Sequence, residues 1–390
     1  MSAKITVAMV GDYPVGGQSI RGGVQAVVSY LVDAMKARND VDLHVITFKR
    51  HIRQPATIDA GGFHVHQLPT QRLGLTTLFW RDRRMLHACL DKIKPDIVHA
   101  QGAGRDGYLA TKSGLPSVVT FHGILGQDAK YVNGWLRRQR SVMQSHLTET
   151  FCVRHAANVI SISPYVQQYY GTSLRGNTFY IPNPVKADYF NVVRQEEEGR
   201  VLFAGRVIPR KGVADLVEAV AAVRSQTPIK VVLAGALDNT EYVTEVKSLI
   251  ARLGLSDRFI FKGLLNESEV LDEFCRCALL VLPSYQETAP MVVQQAMASR
   301  VPVIATRICG VPDQVTHGVT GLLYEPHDVK TLATHLEMLL KNKELRANMS
   351  LMAQQKAEYE YRSEKVAERT VAMYQEILGR SRLAPSDSLG

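Results

Sequence analysis

Two segments of the chain carry residue types that could hold a phosphate group. Residues 11–24 place glycines between a predicted strand and a helix, where backbone N–H groups and the helix N-terminus can approach an anion closely. The segment lacks the Lys-Ser/Thr of a P-loop, and no acid follows the second predicted strand as a dinucleotide fingerprint requires. In residues 203–212, Arg206 and Lys211 stand between a strand and a helix, an arrangement that suits a diphosphate. A plain tight turn and a solvated loop are the alternative interpretations.

A third segment, residues 283–298, combines a carboxylate with a side-chain amide. Glu287 is expected in the loop before a helix, and Gln295 about one turn inside that helix. A carboxylate accepts hydrogen bonds from sugar hydroxyls, and an amide both donates and accepts them. If the two cations of the previous segment neutralise a departing diphosphate, no divalent ion is needed.

The hydrophobic pattern predicts the strands and helices that position these segments. Short β-branched runs alternate with 3- and 4-residue spacings, the pattern of a parallel α/β sheet. The pattern stops at residues 181–184 and restarts at Arg200, so we predict a flexible interdomain linker around the polar residues 196–199. Two such halves predict two Rossmann-like domains facing across a cleft, with ligands at the carboxyl ends of the strands. Strands are predicted at residues 5–10, 43–48, 97–100, 117–121, 159–163, 201–204, 230–233, 259–261, 279–282 and 303–305, and helices at residues 27–35, 85–93, 213–223, 243–253, 267–275, 292–298 and 363–378.

The composition of the 390 residues excludes several classes of protein. Apolar residues make up 46% and charged residues 21% of the chain, a globular balance that excludes intrinsic disorder and collagen-like repeats. Five cysteines, an odd number, argue against a disulfide framework, and Cys275-x-Cys277 has no second pair at zinc spacing. No apolar run approaches the ~20 residues of a membrane-spanning helix, and the first residues predict a strand rather than a signal peptide. We therefore expect a soluble, cytoplasmic protein.

The net positive charge of the chain comes from its first half alone. Residues 1–190 carry 22 Lys and Arg against 12 Asp and Glu, whereas residues 191–390 carry 24 against 25. Residues 73–84 and 135–140 mix arginines with aromatic side chains, a combination that can lie on an anionic bilayer. The alternative is a solvated basic surface on helices packed against the domain. Nucleic-acid binding is not expected, because the basic residues form no run interleaved with stacking aromatics.

The order of the motifs along the chain identifies a family resemblance. The motifs are Gly-Gly after strand one, Thr-Phe-His-Gly, Ile-Pro-Asn, Gly-Arg-x4-Lys-Gly, Pro-Ser-x2-Glu-x7-Gln-Ala-Met-Ala, Val-Pro-Val-Ile-Ala, Gly-Val-Pro-Asp and Gly-Val-Thr-Gly-Leu-Leu. Together they resemble the retaining glycosyltransferases of family 4, which have the α/β GT-B fold. The resemblance implies an acceptor domain at residues 1–185, a donor-nucleotide domain at residues 195–360, and a last helix, about residues 363–378, crossing back to the first domain. We expect residues 379–390 to be a disordered tail.

The resemblance also implies where the donor diphosphate binds. Gly22 and Gly23 match the glycine loop whose backbone faces the diphosphate, and Arg206 and Lys211 match the cation pair that binds it. The family is metal-independent, so no metal ligand and no cofactor are expected. Stabilisation of the leaving diphosphate by these groups is the expected main contribution to catalysis.

The remaining site residues follow from the same resemblance. Glu287 matches the first acid of the Glu-x7-Glu motif, which contacts the transferred sugar, and His122 matches a histidine that approaches the sugar from the first domain. Gly263 matches a backbone segment near the nucleobase. Gln295 stands where the family has the second acid, which holds the ribose hydroxyls. His99, at the end of a predicted strand, either faces the cleft edge or is a structural histidine.

These implications predict a function and leave alternatives. We expect a retaining enzyme that moves a sugar from a UDP- or GDP-sugar to an acceptor hydroxyl, in cell-surface polysaccharide or glycolipid biosynthesis. Its partners would be the nucleotide-sugar and a glycan or lipid-linked acceptor. It would also bind transiently to the inner face of an anionic membrane. Thr288-Ala289-Pro290 departs from the small, glycine-rich residues usual in the family, and this leaves the donor sugar open. A GT-B sugar-nucleotide epimerase and a degenerate nucleotide-sugar-binding paralogue, favoured by Gln295, are the alternatives.

Overall fold

The chain folds into two compact units. The computed structural model describes residues 4–16, 19–20, 22–70, 74–75, 77–132, 134–223 and 228–383. Unit 1 contains the described residues up to Pro184 together with those from Ser363 onward, and unit 2 runs from Val185 to Arg362. The chain therefore leaves unit 1, forms the whole of unit 2 and returns to unit 1 in its last helix.

Unit 1 is built on an eight-stranded, mostly parallel sheet. Its strands are β1 (Ile5–Val10), β2 (Val41–Lys49), β3 (Ala56–Asp59), β4 (His64–Pro69), β5 (Ile97–Gln101), β6 (Ser117–Phe121), β7 (Asn158–Ser161) and β8 (Asn177–Tyr180). Its helices are α1 (Gly23–Lys36), α2 (Trp80–Ile93), α3 (Arg105–Thr111), α4 (Leu125–Asp128), α5 (Trp135–Gln144), α6 (Thr150–His155) and α7 (Pro164–Tyr170). The strand order is β3-β4-β2-β1-β5-β6-β7-β8, and β3 alone among these strands pairs in the antiparallel sense. Every residue of β5 and β6 is buried, as expected of central parallel strands covered on both faces.

Unit 2 is built on a six-stranded parallel sheet. Its strands are β9 (Arg200–Ala204), β10 (Lys230–Ala234), β11 (Phe259–Gly263), β12 (Leu279–Leu282), β13 (Val303–Thr306) and β14 (Leu322–Tyr324). Its helices are α8 (Ala187–Phe190), α9 (Val213–Ala222), α10 (Thr240–Arg252), α11 (Glu267–Arg276), α12 (Met291–Ala298), α13 (Val311–Gln314), α14 (Val329–Lys341) and α15 (Lys343–Glu360). The strand order is β11-β10-β9-β12-β13-β14. The predicted pair of Rossmann-like α/β sheets is thus confirmed.

Among the parallel strands of each sheet, the direction in which successive strands are added reverses once, near the middle. The reversal falls between β1 and β5 in unit 1 and between β9 and β12 in unit 2. Loops that leave the carboxyl ends of the strands on either side of such a reversal diverge, and the crevice between them is where open α/β sheets bind ligands. The reversal between β9 and β12 is therefore the place in unit 2 to look for a site.

The prediction that residues 196–199 form a flexible linker is wrong. Glu197 accepts hydrogen bonds from both Arg200 and Arg276, and its own N–H donates to the Arg276 carbonyl at 2.8 Å. Glu196 is ion-paired with Arg346 of α15. The polar composition that suggested flexibility instead supplies partners for three arginines, so this stretch is an ordered part of unit 2.

The last helix, α16 (Ser363–Leu383), belongs to unit 1 and packs on α1. Its buried residues include Val366, Val371, Tyr374 and Ile377. The helix continues through residues 379–383, which we predicted to be part of a disordered tail, because no helix breaker interrupts it after Gly379. The rest of that predicted tail, residues 384–390, lies outside the described residues. Within the part of the chain that the structure describes, no helix has both the length and the apolar character to cross a bilayer.

Candidate active site

The carboxyl ends of β9 and β12 bring two predicted site segments together. β9 leads into residues 205–212, and β12 leads into residues 283–290. Because β9 and β12 are paired neighbours in a parallel sheet, both loops leave at the same edge. The loops also bond to each other. The Tyr285 N–H donates to the Arg210 carbonyl at 2.8 Å, and Arg210 Nη1 donates to the Gln286 carbonyl at 3.0 Å.

An ion pair between Lys211 and Glu287 lies where these loops meet. Both side chains are largely buried, with exposed fractions of 14% and 9%. Gly212 follows Lys211 in the left-handed region, at φ 62°. A Cβ at residue 212 would lie 2.0 Å from the Pro283 carbonyl oxygen, so only glycine allows this approach to the end of β12. Two residues that we assigned to different parts of a donor are thus in direct contact.

Arg206, the other predicted diphosphate cation, has a different environment. Its side chain is 60% exposed, and its Nη2 lies 3.4 Å from Asp238 Oδ2, which is itself exposed. An exposed ion pair of this kind contributes little to stability. The predicted cation pair therefore consists of one anchored ammonium group and one exposed guanidinium group.

The loop that carries Glu287 leads into α12 and is bonded to the residue that precedes α13. The Glu287 carbonyl accepts the Gly310 N–H at 3.2 Å. Pro290 is the N-cap residue of α12. The first turn of that helix contains no acidic side chain that would neutralise the partial positive charge of the helix N-terminus. Gln295 is buried inside the same helix. Its assignment to the ribose hydroxyls stays a prediction.

Three glycines, Gly205, Gly235 and Gly263, lie at or just after the carboxyl ends of β9, β10 and β11. Gly263 ends β11 with φ 69° and open space in the direction of a Cβ, and its carbonyl accepts the Gly235 N–H at 2.7 Å. A Cβ on Gly235 would lie 1.9 Å from the Gly205 carbonyl oxygen. A surface depression of about 500 Å³ is lined by Lys262, Leu265, Ser268, Glu269 and Asp272. The nucleobase assignment of Gly263 stays a prediction.

In unit 1 the predicted glycine loop leads into α1. Gly22 is the N-cap residue in an extended conformation, its carbonyl accepts the Ala26 N–H at 3.1 Å, and no atom lies within 4 Å of a Cβ placed on it. Gly23 is the first residue of the helix, whose first turn contains no acid. Glycine at residue 22 is thus not required by the packing of unit 1. Residues 17, 18 and 21 of the predicted loop lie outside the described residues.

His122 follows β6 and is held by the side chain at the end of β5. His122 Nε2 lies 2.8 Å from Gln101 Oε1. Burial lowers the pKa of His122 to about 4, against a small opposing effect of the Asn183 side chain, so the ring is neutral at physiological pH. Its Nδ1 is buried and makes no hydrogen bond of standard geometry with the described residues. Sequence reasoning missed Gln101, although a polar residue at the carboxyl end of a central strand is a usable signal.

His99 is a structural histidine and does not face a cleft. The residue is 1% exposed. Its Nδ1 lies 2.5 Å from the Tyr374 hydroxyl, and its Nε2 lies 2.7 Å from the Thr120 hydroxyl and 3.2 Å from Gln101 Nε2. Burial lowers its pKa to about 3. Tyr374 belongs to α16, far along the chain, and nothing in the local sequence indicates this contact.

The described residues give no indication of a metal centre. Among them, no group of three or more His, Cys, Asp and Glu side chains is placed so that it could hold a metal ion. The two thiols of Cys275-x-Cys277 have other surroundings: Cys275 Sγ donates to the Val193 carbonyl at 2.9 Å, and burial raises the pKa of Cys277 to about 12.

Comparison with known proteins shows that two family models match the chain. Residues 21–189 match the model of the family described as Glycosyltransferase Family 4, and residues 185–356 match that of Glycosyl transferases group 1. The N-acetyl-alpha-D-glucosaminyl L-malate synthase of Bacillus anthracis is 33% identical over 168 residues. That match covers 43% of each chain, so this chain matches less than half the length of that relative.

Two solved structures show the fold. Sucrose-phosphate synthase from Thermosynechococcus elongatus superposes with a TM-score of 0.82 at 20% identity, covering 97% of this chain and 100% of the other. The Anabaena protein HepE, in a crystal structure with UDP-glucose, gives a TM-score of 0.72 at 19% identity, covering 95% and 100%. The two family models together span residues 21–356, and the fold is that of these GT-B proteins. The chain therefore belongs to the group 1 glycosyltransferases.

Proposed function

We propose that the chain transfers a sugar from a nucleotide-diphosphate sugar to an acceptor hydroxyl, with retention of configuration and without a metal ion. The observation that carries this proposal is the buried pair of Lys211 and Glu287 at the point where the sheet of unit 2 reverses. A cation fixed in that crevice matches an anionic leaving group, and a carboxylate beside it matches sugar hydroxyls. HepE was crystallised with UDP-glucose, which supports a UDP-sugar as the first donor to test, with GDP-sugars next.

The proposed reaction depends mainly on stabilising the leaving group. As the C1–O bond of the donor breaks, negative charge develops on the diphosphate, and Lys211 is already in place beside it. Arg206, being exposed, can turn towards the same charge. Glu287 engages Lys211 through Oε1, so Oε2 would accept a sugar hydroxyl. The acceptor oxygen bonds to C1 on the face that the diphosphate leaves, and its proton passes to the departing phosphate oxygen.

A ligand panel tests the donor proposal directly. A ligand at 100 times its Kd stabilises the native state by about 2.7 kcal/mol, and each kcal/mol raises the melting temperature of a domain of this size by about 2–4 °C. We expect UDP-glucose or a related UDP-sugar to raise the melting temperature by about 5–10 °C, with or without EDTA. A shift that EDTA abolishes would contradict the metal-independent proposal.

The alternative functions predict different products. A transferase releases nucleotide diphosphate slowly from the donor alone and faster when an acceptor is added. An epimerase would convert one nucleotide-sugar into another and release nucleotide only as a side product. A degenerate binder, which the Gln295 substitution favours, would shift the melting temperature yet release no nucleotide. Chromatography of the donor after incubation separates the three outcomes.

We further propose that α5 brings unit 1 to an anionic membrane, which would suit a lipid-linked acceptor in glycolipid or cell-surface polysaccharide synthesis. No residue of α5 is buried. The exposed apolar side chains of this helix are Trp135, Leu136, Val142 and Met143. At 3.6 residues per turn they fall within about 120° of one another, with Arg138 and Arg140 at the borders of that arc. An apolar face flanked by arginines is the pattern of an interfacial helix.

The membrane proposal predicts a salt-sensitive flotation. With vesicles containing phosphatidylglycerol at low salt, we expect the protein to float, and W135S/L136S to lose at least fivefold of the bound fraction, because these side chains are 71% and 75% exposed. The matched control is L351S/M352S, which removes two exposed apolar side chains of α15 in unit 2. Equal flotation of the two variants, or none for the wild type, would contradict the proposal.

A further inference from the structure

A continuous chain of hydrogen bonds joins the C-terminal helix to the predicted site histidine. The Tyr374 hydroxyl of α16 lies 2.5 Å from His99 Nδ1, His99 Nε2 lies 3.2 Å from Gln101 Nε2, and Gln101 Oε1 lies 2.8 Å from His122 Nε2. Thr120 adds a second contact to His99 Nε2, at 2.7 Å. Tyr374, His99, Thr120 and Gln101 are all at least 95% buried, so solvent does not compete for these bonds.

The donors and acceptors in this chain couple the proton positions of the two histidines. With the amide nitrogen of Gln101 towards His99, Nε2 of His99 accepts from Gln101, and the His99 proton resides on Nδ1, from which it is donated to the Tyr374 hydroxyl. The amide oxygen of Gln101 only accepts, so the proton of the neutral His122 ring resides on Nε2. The opposite arrangement would reverse each of these bonds together, because turning Gln101 over exchanges its donor and its acceptor.

We propose that Tyr374, acting through His99 and Gln101, holds His122 as a neutral ring whose Nε2 proton points into the fold. Tyr374, His99 and Gln101 are then positioning residues for the site, and His122 acts as a fixed ring that carries no proton to or from the substrate. Gly11, which follows β1, lies against the Gln101 side chain: a Cβ at residue 11 would lie 2.8 Å from the Gln101 Cβ, so glycine there leaves room for this side chain. Only the importance of His122 for turnover rests on the proposed function.

The hydrogen-bonded chain from Tyr374 through His99 and Gln101 to His122, here called the relay, gives α16 a role in unit 1. α16 supplies the hydroxyl that lies 2.5 Å from His99 Nδ1 and that accepts its hydrogen bond in the proposed arrangement. Without that acceptor the Nδ1–H of His99 would be buried and unpaired, which is unfavourable. The reversed arrangement avoids this cost: the His99 proton moves to Nε2, Gln101 turns over, and the His122 proton moves to Nδ1.

Tyr374→Phe tests the relay by a measurement that does not require activity. In protein labelled with ¹⁵N-histidine, the signals of His122, assigned by their loss in His122→Phe, should show Nε2–H in the wild type and mainly Nδ1–H in Y374F. The matched control is Thr370→Val, which removes a buried hydroxyl of the same helix that donates only to the Val366 carbonyl. T370V should keep the Nε2–H tautomer.

Kinetics then relate the tautomer to the reaction. Y374F should lower kcat about tenfold with the donor KM within twofold of the wild type, and T370V should change neither. A wild-type His122 protonated on Nδ1, or a Y374F protein with the wild-type tautomer, would overturn the relay. An altered tautomer with unchanged kcat would overturn the positioning role, and a chain without transferase activity would still give the tautomer result.

Discussion

Lys211→Ala is expected to lower turnover by about 10²–10³, because it removes a preorganised cation from the leaving group at the moment when charge develops there. The side chain is anchored by Glu287 and by the close approach of its loop to β12, so water cannot replace it in the same geometry. Release of nucleotide diphosphate under saturating donor measures the effect. The loss should appear in kcat, since the interaction strengthens in the transition state.

The matched control is Lys341→Ala, which removes an exposed lysine that is ion-paired with Glu337 on α14 of the same unit. Turnover and melting temperature of K341A should equal those of the wild type, because exposed pairs contribute little. If K211A retained wild-type turnover with its fold intact, the assignment of Lys211 to the diphosphate would be wrong.

The double variant K211A/E287Q is expected to regain stability without regaining activity. K211A leaves a largely buried carboxylate unpaired, which can cost about 3 kcal/mol and so lower the melting temperature by several degrees. Glu287→Gln has the same shape and no charge, so it removes that penalty. Turnover of the double variant should stay within about threefold of K211A, since the two residues act as one unit.

Calorimetry and nucleotide release on the two single variants and the double variant complete the cycle. E287Q alone should also lose turnover, because Lys211 loses its anchor and the sugar loses a carboxylate. If the double variant recovered turnover together with stability, the defect of K211A would be one of folding, and neither side chain would act on the donor.

The predicted elements agree best with the structure where hydrophobic patterning alone determines them. The strands predicted at residues 117–121 and 279–282 have the observed bounds, because each is a fully buried central strand. β4 was not predicted, since its sequence, HVHQLP, contains polar histidines that interrupt an apolar run. β3 was not predicted either, because an exposed edge strand buries no residue that would mark it.

The candidate site was predictable as a set of residues but not as a set of contacts. Lys211 and Glu287 were each recognised from motifs, yet their ion pair joins residues 76 positions apart through strands whose pairing order the sequence does not state. The contact of His99 with Tyr374 spans 275 positions and depends on the return of α16 to unit 1. The error at residues 196–199 has the same origin, because a polar stretch reads as flexible until its distant arginine partners are known.

The return of α16 to unit 1 has a consequence for synthesis on the ribosome. The domain that is translated first cannot be completed until the last helix has emerged, and all of Val185–Arg362 is translated in between. At elongation rates of about 5–20 residues per second this delay is roughly 10–40 s, during which the apolar residues of unit 1 that α16 covers have no partner. Unit 2 is continuous in sequence, and its Val185 N–H reaches back to the Tyr361 carbonyl near its own end. The domain made second is therefore the one that can finish folding first, and the nascent first domain is the species that chaperones would need to protect.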